Sequence, residues 1–109
     1  MPSMPSYIAT RELIAEDASR GQFTIRVCVG LPYQMSADEW ACPVALEGLH
    51  PRLTDQHGID AFQSLMLAQK LARTLLVAFV DDGGILRDSQ DSDNHGMSIE
   101  NLFGGGTLP

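Results

Sequence analysis

Four side chains in the middle of the sequence carry atoms that could bind a metal ion. Cys42, His50, His57 and Asp60 offer one sulfur, two imidazole rings and one carboxylate between positions 42 and 60. Zinc sites usually contain Cys or His pairs that are only a few residues apart, and these four residues include no such pair. We therefore predict no metal ligand here, and interpret the four as a thiol on a strand, two histidines in loops and a helix cap.

The two cysteines could instead supply a nucleophile. Cys28 or Cys42 beside His50 or His57 would form a Cys–His pair. A reactive thiolate needs a positive, partly exposed environment, whereas Cys42 alternates with Trp40 in a pattern typical of a strand that faces a core. Trp40 could line a cleft or fill that core. We predict no catalytic residue; Trp40, Cys42, His50 and His57 are the candidates if the chain is instead a small thiol enzyme or ligand-binding domain.

An acidic segment near the end of the chain imitates part of a calcium loop. Asp91–Gly96 places oxygen donors at the first, third and fifth positions and a glycine at the sixth. The twelfth position, which should hold a bidentate Glu, is Leu102. We expect a solvated acidic loop, with cation binding as the alternative. No phosphate-binding or dinucleotide-binding motif is present, so the sequence predicts no cofactor.

The composition limits the classes of partner. The chain has 109 residues, of which 14 are Asp or Glu and 7 are Lys or Arg, giving a net charge of −7. This charge disfavours nucleic acid and anionic lipid as partners and permits a basic protein. Apolar residues make up 44% of the sequence, which is sufficient for a folded core. We predict a single domain over residues 1–109.

Targeting and membrane signals are also missing from the sequence. The first six residues lack the basic and apolar regions of a secretory signal. The longest apolar stretch is interrupted by Gln69, Lys70 and Arg73, which disfavours a membrane span. Two cysteines are too few for a disulfide scaffold. We therefore expect a soluble, cytoplasmic protein with free thiols.

One long helix is predicted from Asp60 to Val80. Asp60 and Gln63 have the spacing of a capping box, in which Asp60 accepts from the amide of Gln63 and Gln63 reaches back. The apolar positions predicted to face a sheet are Phe62, Leu65, Ala68, Ala72, Leu75, Leu76 and Phe79. Leu67, Leu71 and Ala78 widen this face beyond what one small sheet covers. Either the sheet curls around the helix and the C-terminal tail covers the rest, or this flank contacts a second copy or another protein.

Alternating apolar residues predict strands on both sides of the helix. The three main strands are expected at Tyr7–Ile14, Phe23–Val29 and Trp40–Glu47, with short ones at Arg52–Gln56 and Ile85–Arg87. Ala15–Gln22 is predicted to be a turn and Leu31–Glu39 a polar connection. Pro43 inside the third strand indicates that this strand is an edge or that Pro43 lies on its unpaired side. The predicted fold is α+β: an antiparallel β-meander of three to five strands packed against one long α-helix, with residues 1–6 frayed and residues 88–98 and 104–109 flexible.

The sequence also resembles a family of small, mostly bacterial domains of unknown function. The resemblance is carried by Trp40–Val44, Gly48–Leu49, Gly58–Leu65, Ile8–Ala9, Arg11–Glu12 and the closing Gly-Thr-Leu-Pro. It is densest between Trp40 and Ala72. The resemblance implies a meander of strands followed by one long helix, and it implies no reaction.

The function predicted from the sequence is a non-catalytic protein-interaction module, with self-association through Leu67, Leu71 and Ala78 as the leading hypothesis. Two other classes stay open. One is an immunity or antitoxin-like protein whose acidic surface binds a basic partner. The other is the small ligand-binding or thiol enzyme domain built on the candidates named above.

Overall fold

A computed structural model describes residues 7–88 of the chain. In chain order the elements are β1 Tyr7–Asp17, β2 Gly21–Gly30, β3 Tyr33–Ser36, β4 Glu39–Cys42, β5 Val44–Glu47, β6 Gln56–Gly58, α1 Ala61–Asp81 and β7 Ile85–Asp88. The α+β class is confirmed. The predictions for residues 1–6, for the calcium-like loop Asp91–Gly96 and for the closing residues 104–109 lie outside the described residues.

The strands form two antiparallel sheets in place of a single meander. Within residues 7–88 the larger sheet has the order β5-β2-β1-β7 and the smaller has the order β3-β4-β6. The prediction of three to five strands is too low, because this part of the chain contains seven. The meander is also wrong, because β7 returns after the helix to pair with β1, where Leu13 lies opposite Asp88. Arg11 forms an ion pair with Asp88 at that edge.

The hairpin of β1 and β2 is longer than predicted, because its turn is tight. The predicted turn Ala15–Gln22 is wrong at both ends: only residues 18–20 separate the strands. The Asp17 carboxylate accepts hydrogen bonds from the backbone amide of Arg20 at 2.6 Å and from its Nε at 2.8 Å. Gly21 then adopts a φ of 70°, a conformation that glycine reaches without steric cost.

Pro43 divides the predicted third strand into two. Its ring nitrogen cannot donate to a ladder, so β4 ends at Cys42 and β5 begins at Val44, each in a different sheet. The Pro43 carbonyl still accepts a hydrogen bond from the amide of Gly30 at 2.8 Å, at the end of β2. The predicted polar connection Leu31–Glu39 contains β3, which pairs with β4. The predicted strand Arg52–Gln56 is displaced to Gln56–Gly58.

The core is formed by one face of α1, the larger sheet and Cys42 of the smaller sheet. Its buried members are Leu13, Ala15, Ile25, Val27, Val29, Cys42, Val44, Leu46, Ala68, Ala72, Leu76, Phe79 and Leu86. The alternation predicted for β2 is confirmed for Thr24–Val27, but Cys28, predicted on the wetter face, is completely buried like Val29. Ala68 and Ala72 bring the helix close to the sheet, while Leu76 and Phe79 fill the space further along it. A fully buried Leu contributes about 1.5–3 kcal/mol relative to an exposed one.

The ends of the helix are fixed by local hydrogen bonds. Asp60 is the N-cap: its Oδ1 accepts from the amide of Gln63 at 2.7 Å, and Gln63 Oε1 accepts from the amide of Ile59 at 2.8 Å. At the other end, the amide of Gly84 donates to Phe79 and that of Gly83 to Val80, with Gly83 at a φ of 102°. This pair of bonds is a Schellman motif. The predicted helix is therefore confirmed to within one residue at each end. None of the helices among residues 7–88 has the length and apolar character that a membrane span requires.

Candidate functional site

An open apolar groove runs along the first half of α1. It has a volume of about 490 Å³ and is lined by Ile59, Asp60, Phe62, Gln63, Met66, Leu67 and Lys70. All of these residues come from the segment that enters the helix and from its first three turns. Three of them are large apolar side chains with high exposure: Ile59 at 65%, Phe62 at 72% and Met66 at 53%. The groove therefore presents hydrocarbon to solvent on a chain whose net charge is −7.

The groove faces outward because the opposite side of the helix rests tightly on β6. A Cβ on Gly58 would lie 2.7 Å from the backbone nitrogen of Ser64, which leaves space for glycine alone. Ser64 is completely buried, and its hydroxyl donates to the carbonyl of Ala61 at 3.0 Å. Ser64 and Ala68 lie on the buried side of α1. With 3.6 residues per turn, Phe62 and Met66 therefore lie on the opposite, exposed side.

This placement corrects one prediction of the helix face. Phe62 was expected to face the sheet, but it is among the most exposed apolar side chains among residues 7–88. Ser64 and the backbone of Gln63 occupy the contact with Gly58, which brings β6 and the helix too close together for a phenyl ring between them. The apolar pattern of the sequence does not separate an inward Phe from an outward one, since both satisfy the same amphipathic period.

The structure places the three residues of the predicted contact flank in different environments. Leu67 is half-buried and lines the groove. Leu71 is half-buried and packs against the core cluster. Ala78 is exposed further along the helix, outside the groove residues. Only Leu67 of the three therefore lies in the candidate site, together with Ile59, Phe62 and Met66, which sequence reasoning did not select.

A separate group of polar side chains lies on the smaller sheet. Tyr33 donates its hydroxyl to Asp55 Oδ2 at 2.6 Å, and this hydrogen bond raises the pKa of Tyr33. His57 Nδ1 lies 2.8 Å from Glu39 Oε2. Ala41 pairs with Tyr33 on one side and His57 on the other. Since cross-strand partners project to the same face of a sheet, the two pairs flank Ala41 on one surface.

The cysteines do not reach this polar surface. Cys42 follows Ala41 along β4, so its side chain points to the opposite face, in the core. Its Sγ lies 3.4 Å from the carbonyl oxygen of Gly30, and burial raises the pKa of the thiol. Cys28 is also completely buried, with its pKa raised by burial. A protonated, enclosed thiol is a poor nucleophile.

The other two candidates also lie apart. Trp40 is half-buried and stands opposite Gly58 across the pairing of β4 with β6, on the face of the sheet that meets the helix. His50 is half-buried just after β5, where its amide donates to the carbonyl of Leu46 at 2.8 Å. His57 is exposed on the other face. The structure therefore brings no Cys–His pair together from these candidates. Residues 7–88 also contain no group of three or more His, Cys, Asp or Glu side chains arranged to hold a metal ion.

These observations define a class of protein: a small α+β domain in which two antiparallel sheets support one helix with an exposed apolar groove. A family model described as a domain of unknown function, DUF6968, matches residues 9–99. The chain belongs to this family. No curated protein and no solved structure shows a significant match to it.

Proposed function

We propose that the chain is a protein-interaction module whose contact surface is the groove on the first half of α1. The observation that carries this proposal is the exposure of Phe62, Met66 and Ile59 side by side. Large aromatic and sulfur-containing side chains are enriched at protein interfaces, and an exposed contiguous apolar patch is a common mark of one. Folding gains little from these three side chains, because they stay in water.

The chemistry of the groove favours a protein over a nucleic acid as the partner. A nucleic-acid site needs several Lys or Arg side chains along the phosphate backbone. Lys70 is the one basic residue among those that line the groove, and the whole chain carries a net charge of −7. The buried thiols of Cys28 and Cys42 are unpaired with each other, which suits a reducing compartment such as the cytoplasm.

A site-specific photo-crosslink tests whether the groove contacts a protein. p-Benzoylphenylalanine replaces Phe62 in one version of the full chain and Ile8 in a matched version, and both are expressed in the cells that make the protein. Ile8 is also an exposed apolar residue, at 57%, but lies on β1 outside the groove. We expect a discrete protein adduct from position 62 that disappears when Met66→Asp is added, and none from position 8.

Two results would overturn the proposal. One is that irradiation at position 62 yields no protein adduct. The other is that both positions give the same adducts with the same yields, which is the behaviour of random collisions.

A further inference from the structure

We infer that the protein bound in the groove is a second copy of this chain, and that the two copies pair through antiparallel α1 helices. This inference rests on the proposed function, because it names the partner of the same surface. Each helix would cross the other at the level of its first turns. The two copies would be related by a two-fold axis, which is the commonest symmetry of homodimers.

The charged and apolar residues along the groove are arranged so that the groove is complementary to an antiparallel second copy of itself. Asp60 lies at one end, Phe62 and Met66 follow, and Lys70 lies at the other end. When a second copy runs in the opposite direction, its acidic end meets the basic end of the first, and apolar side chains meet apolar side chains. A surface of this kind pairs with its own copy without any other sequence.

Helix geometry places the side chains in register. With the two-fold axis at the level of residue 64, Phe62 lies opposite the partner's Met66, and the reverse contact follows by symmetry. The centre of the interface then holds two aromatic rings and two thioethers, and sulfur–aromatic contacts of this kind are favourable. The large exposure of Phe62, at 72%, is removed by the same contact.

The charged ends complete the pairing. In the same register Lys70 lies about 9 Å along the axis from the level of residue 64, and the partner's Asp60 lies about 6 Å on the same side, a difference of about 3 Å. A lysine side chain spans that distance. Asp60 accepts a hydrogen bond from the amide of Gln63 through Oδ1, and a carboxylate accepts several bonds, so capping the helix and meeting a lysine are compatible.

A direct contact between Asp60 and Lys70 is impossible within one chain. The two residues are ten positions apart on a continuous helix, which is about 15 Å along its axis. An energetic coupling between them that appears in dimerisation therefore reports a contact between two chains. The groove is also open enough for a second helix, since its lining residues all belong to the segment 59–70 and no other element of residues 7–88 lines it.

The test is the dissociation constant of the dimer, measured by sedimentation equilibrium on the full chain. We expect a dimer at micromolar concentration. Phe62→Ser should raise Kd by about a hundredfold, since it truncates an aromatic contact at two symmetric positions. The matched control Ile8→Ser should leave Kd unchanged.

A double-mutant cycle then tests the register. Lys70→Glu should raise Kd by about tenfold or more, because it faces an acidic residue of the other copy. The same substitution should cost clearly less in a background of Asp60→Asn, since Asn keeps the N-cap and removes the charge. The photo-crosslink at position 62 should yield an adduct of two copies of the chain.

Three results would overturn the dimer. The first is a monomer at concentrations up to about 100 µM, far above the Kd that interfaces of standard size reach. The second is a dimer whose Kd is insensitive to Phe62→Ser. The third is additive effects of Asp60→Asn and Lys70→Glu. If the crosslink at position 62 instead gives one adduct with a different protein, the groove is still a protein contact and only the identity of the partner is wrong.

Discussion

Gly58 and Ser64 approach each other so closely that a Cβ on Gly58 would lie 2.7 Å from the backbone nitrogen of Ser64. This contact joins the last residue of β6 to the first turn of α1. It sets how the helix lies on the smaller sheet, and therefore which side chains point outward into the groove. The backbone of Gly58 does not require a positive φ, so the requirement for glycine at this position is steric.

Replacing Gly58 by alanine should destabilise the domain. The added methyl group meets backbone atoms of the helix that have no alternative rotamer, so the first turn of α1 has to move. We expect a loss of about 1–3 kcal/mol in the free energy of unfolding, the usual cost of overpacking. Urea unfolding followed by the fluorescence of Trp40, which stands opposite Gly58, measures it.

The matched control is Gly21→Ala. Gly21 has a φ of 70° and no heavy atom within 4 Å of an added Cβ. The free energy of unfolding should therefore fall by about 1 kcal/mol in Gly21→Ala, from backbone strain alone. The fluorescence of Trp40 in the folded state should shift in the Gly58 variant and stay unchanged in the Gly21 variant. A Gly58 variant as stable as the wild type would contradict the steric account.

The sequence predicts the helix well because its signals are local. Asp60 and Gln63 specify where α1 begins, and Gly83 and Gly84 specify where it ends, through hydrogen bonds between near neighbours. The alternation in the first part of β2 is equally clear, because Ile25 and Val27 are buried while Thr24 and Arg26 are exposed; it ends at Cys28, which is buried as well.

The remaining features depend on contacts between distant segments. The pairing of β7 with β1 depends on hydrogen bonds between strands that are far apart in the sequence. The same is true of the division into two sheets at Pro43. β3 escapes detection because all four of its residues are exposed, so burial imposes no alternation on them. Phe62 points outward because Gly58 of β6 packs closely against Ser64 of the helix. No pattern within the helix sequence indicates that contact. The groove could not be derived from the sequence for the same reason.

Removing the N-cap should weaken the helix without changing its core. Asp60→Ala leaves the amide of Gln63 without its acceptor at 2.7 Å, so we expect a loss of about 1 kcal/mol in the free energy of unfolding. Asp60→Asn keeps an acceptor oxygen and should lose only a few tenths of that amount. Circular dichroism at 222 nm during urea unfolding compares the two. Equal losses would show that charge, and not the hydrogen bond, is the stabilising property of Asp60.

Two phenylalanines of α1 should differ sharply in their contribution to stability. Phe79 is 7% exposed and its ring meets Phe23 edge to face at 5.9 Å, so Phe79→Ala should cost about 3–5 kcal/mol. Phe62→Ala should change the stability of the monomer by less than about 0.5 kcal/mol, as is usual for an exposed side chain. Thermal unfolding at a concentration below the dimer Kd measures both. A large loss for Phe62→Ala would mean that its ring has an intramolecular role, which would remove the reason to regard it as a contact residue.

The thiols should be inert in the folded protein and should make stability depend on alkaline pH. Burial raises the pKa of Cys28 and Cys42 above the ordinary value of 9.0, so folding disfavours both thiolates. Their stabilising contribution is complete below pH 9.0 and is lost as the pH rises through the raised folded-state values. We expect the free energy of unfolding to fall as the pH rises above 9.0, and to fall less in the variant Cys28→Ala/Cys42→Ala.

Alkylation tests the same burial directly. Iodoacetamide at pH 8 should modify neither cysteine in water and both in urea, as read by intact mass. The alanine variant is the control for the alkaline slope, because the tyrosines Tyr7 and Tyr33 also have raised pKa values and persist in it. Rapid modification of folded Cys42 would instead show a thiol that is open to solvent, and would return the Cys–His hypothesis to consideration.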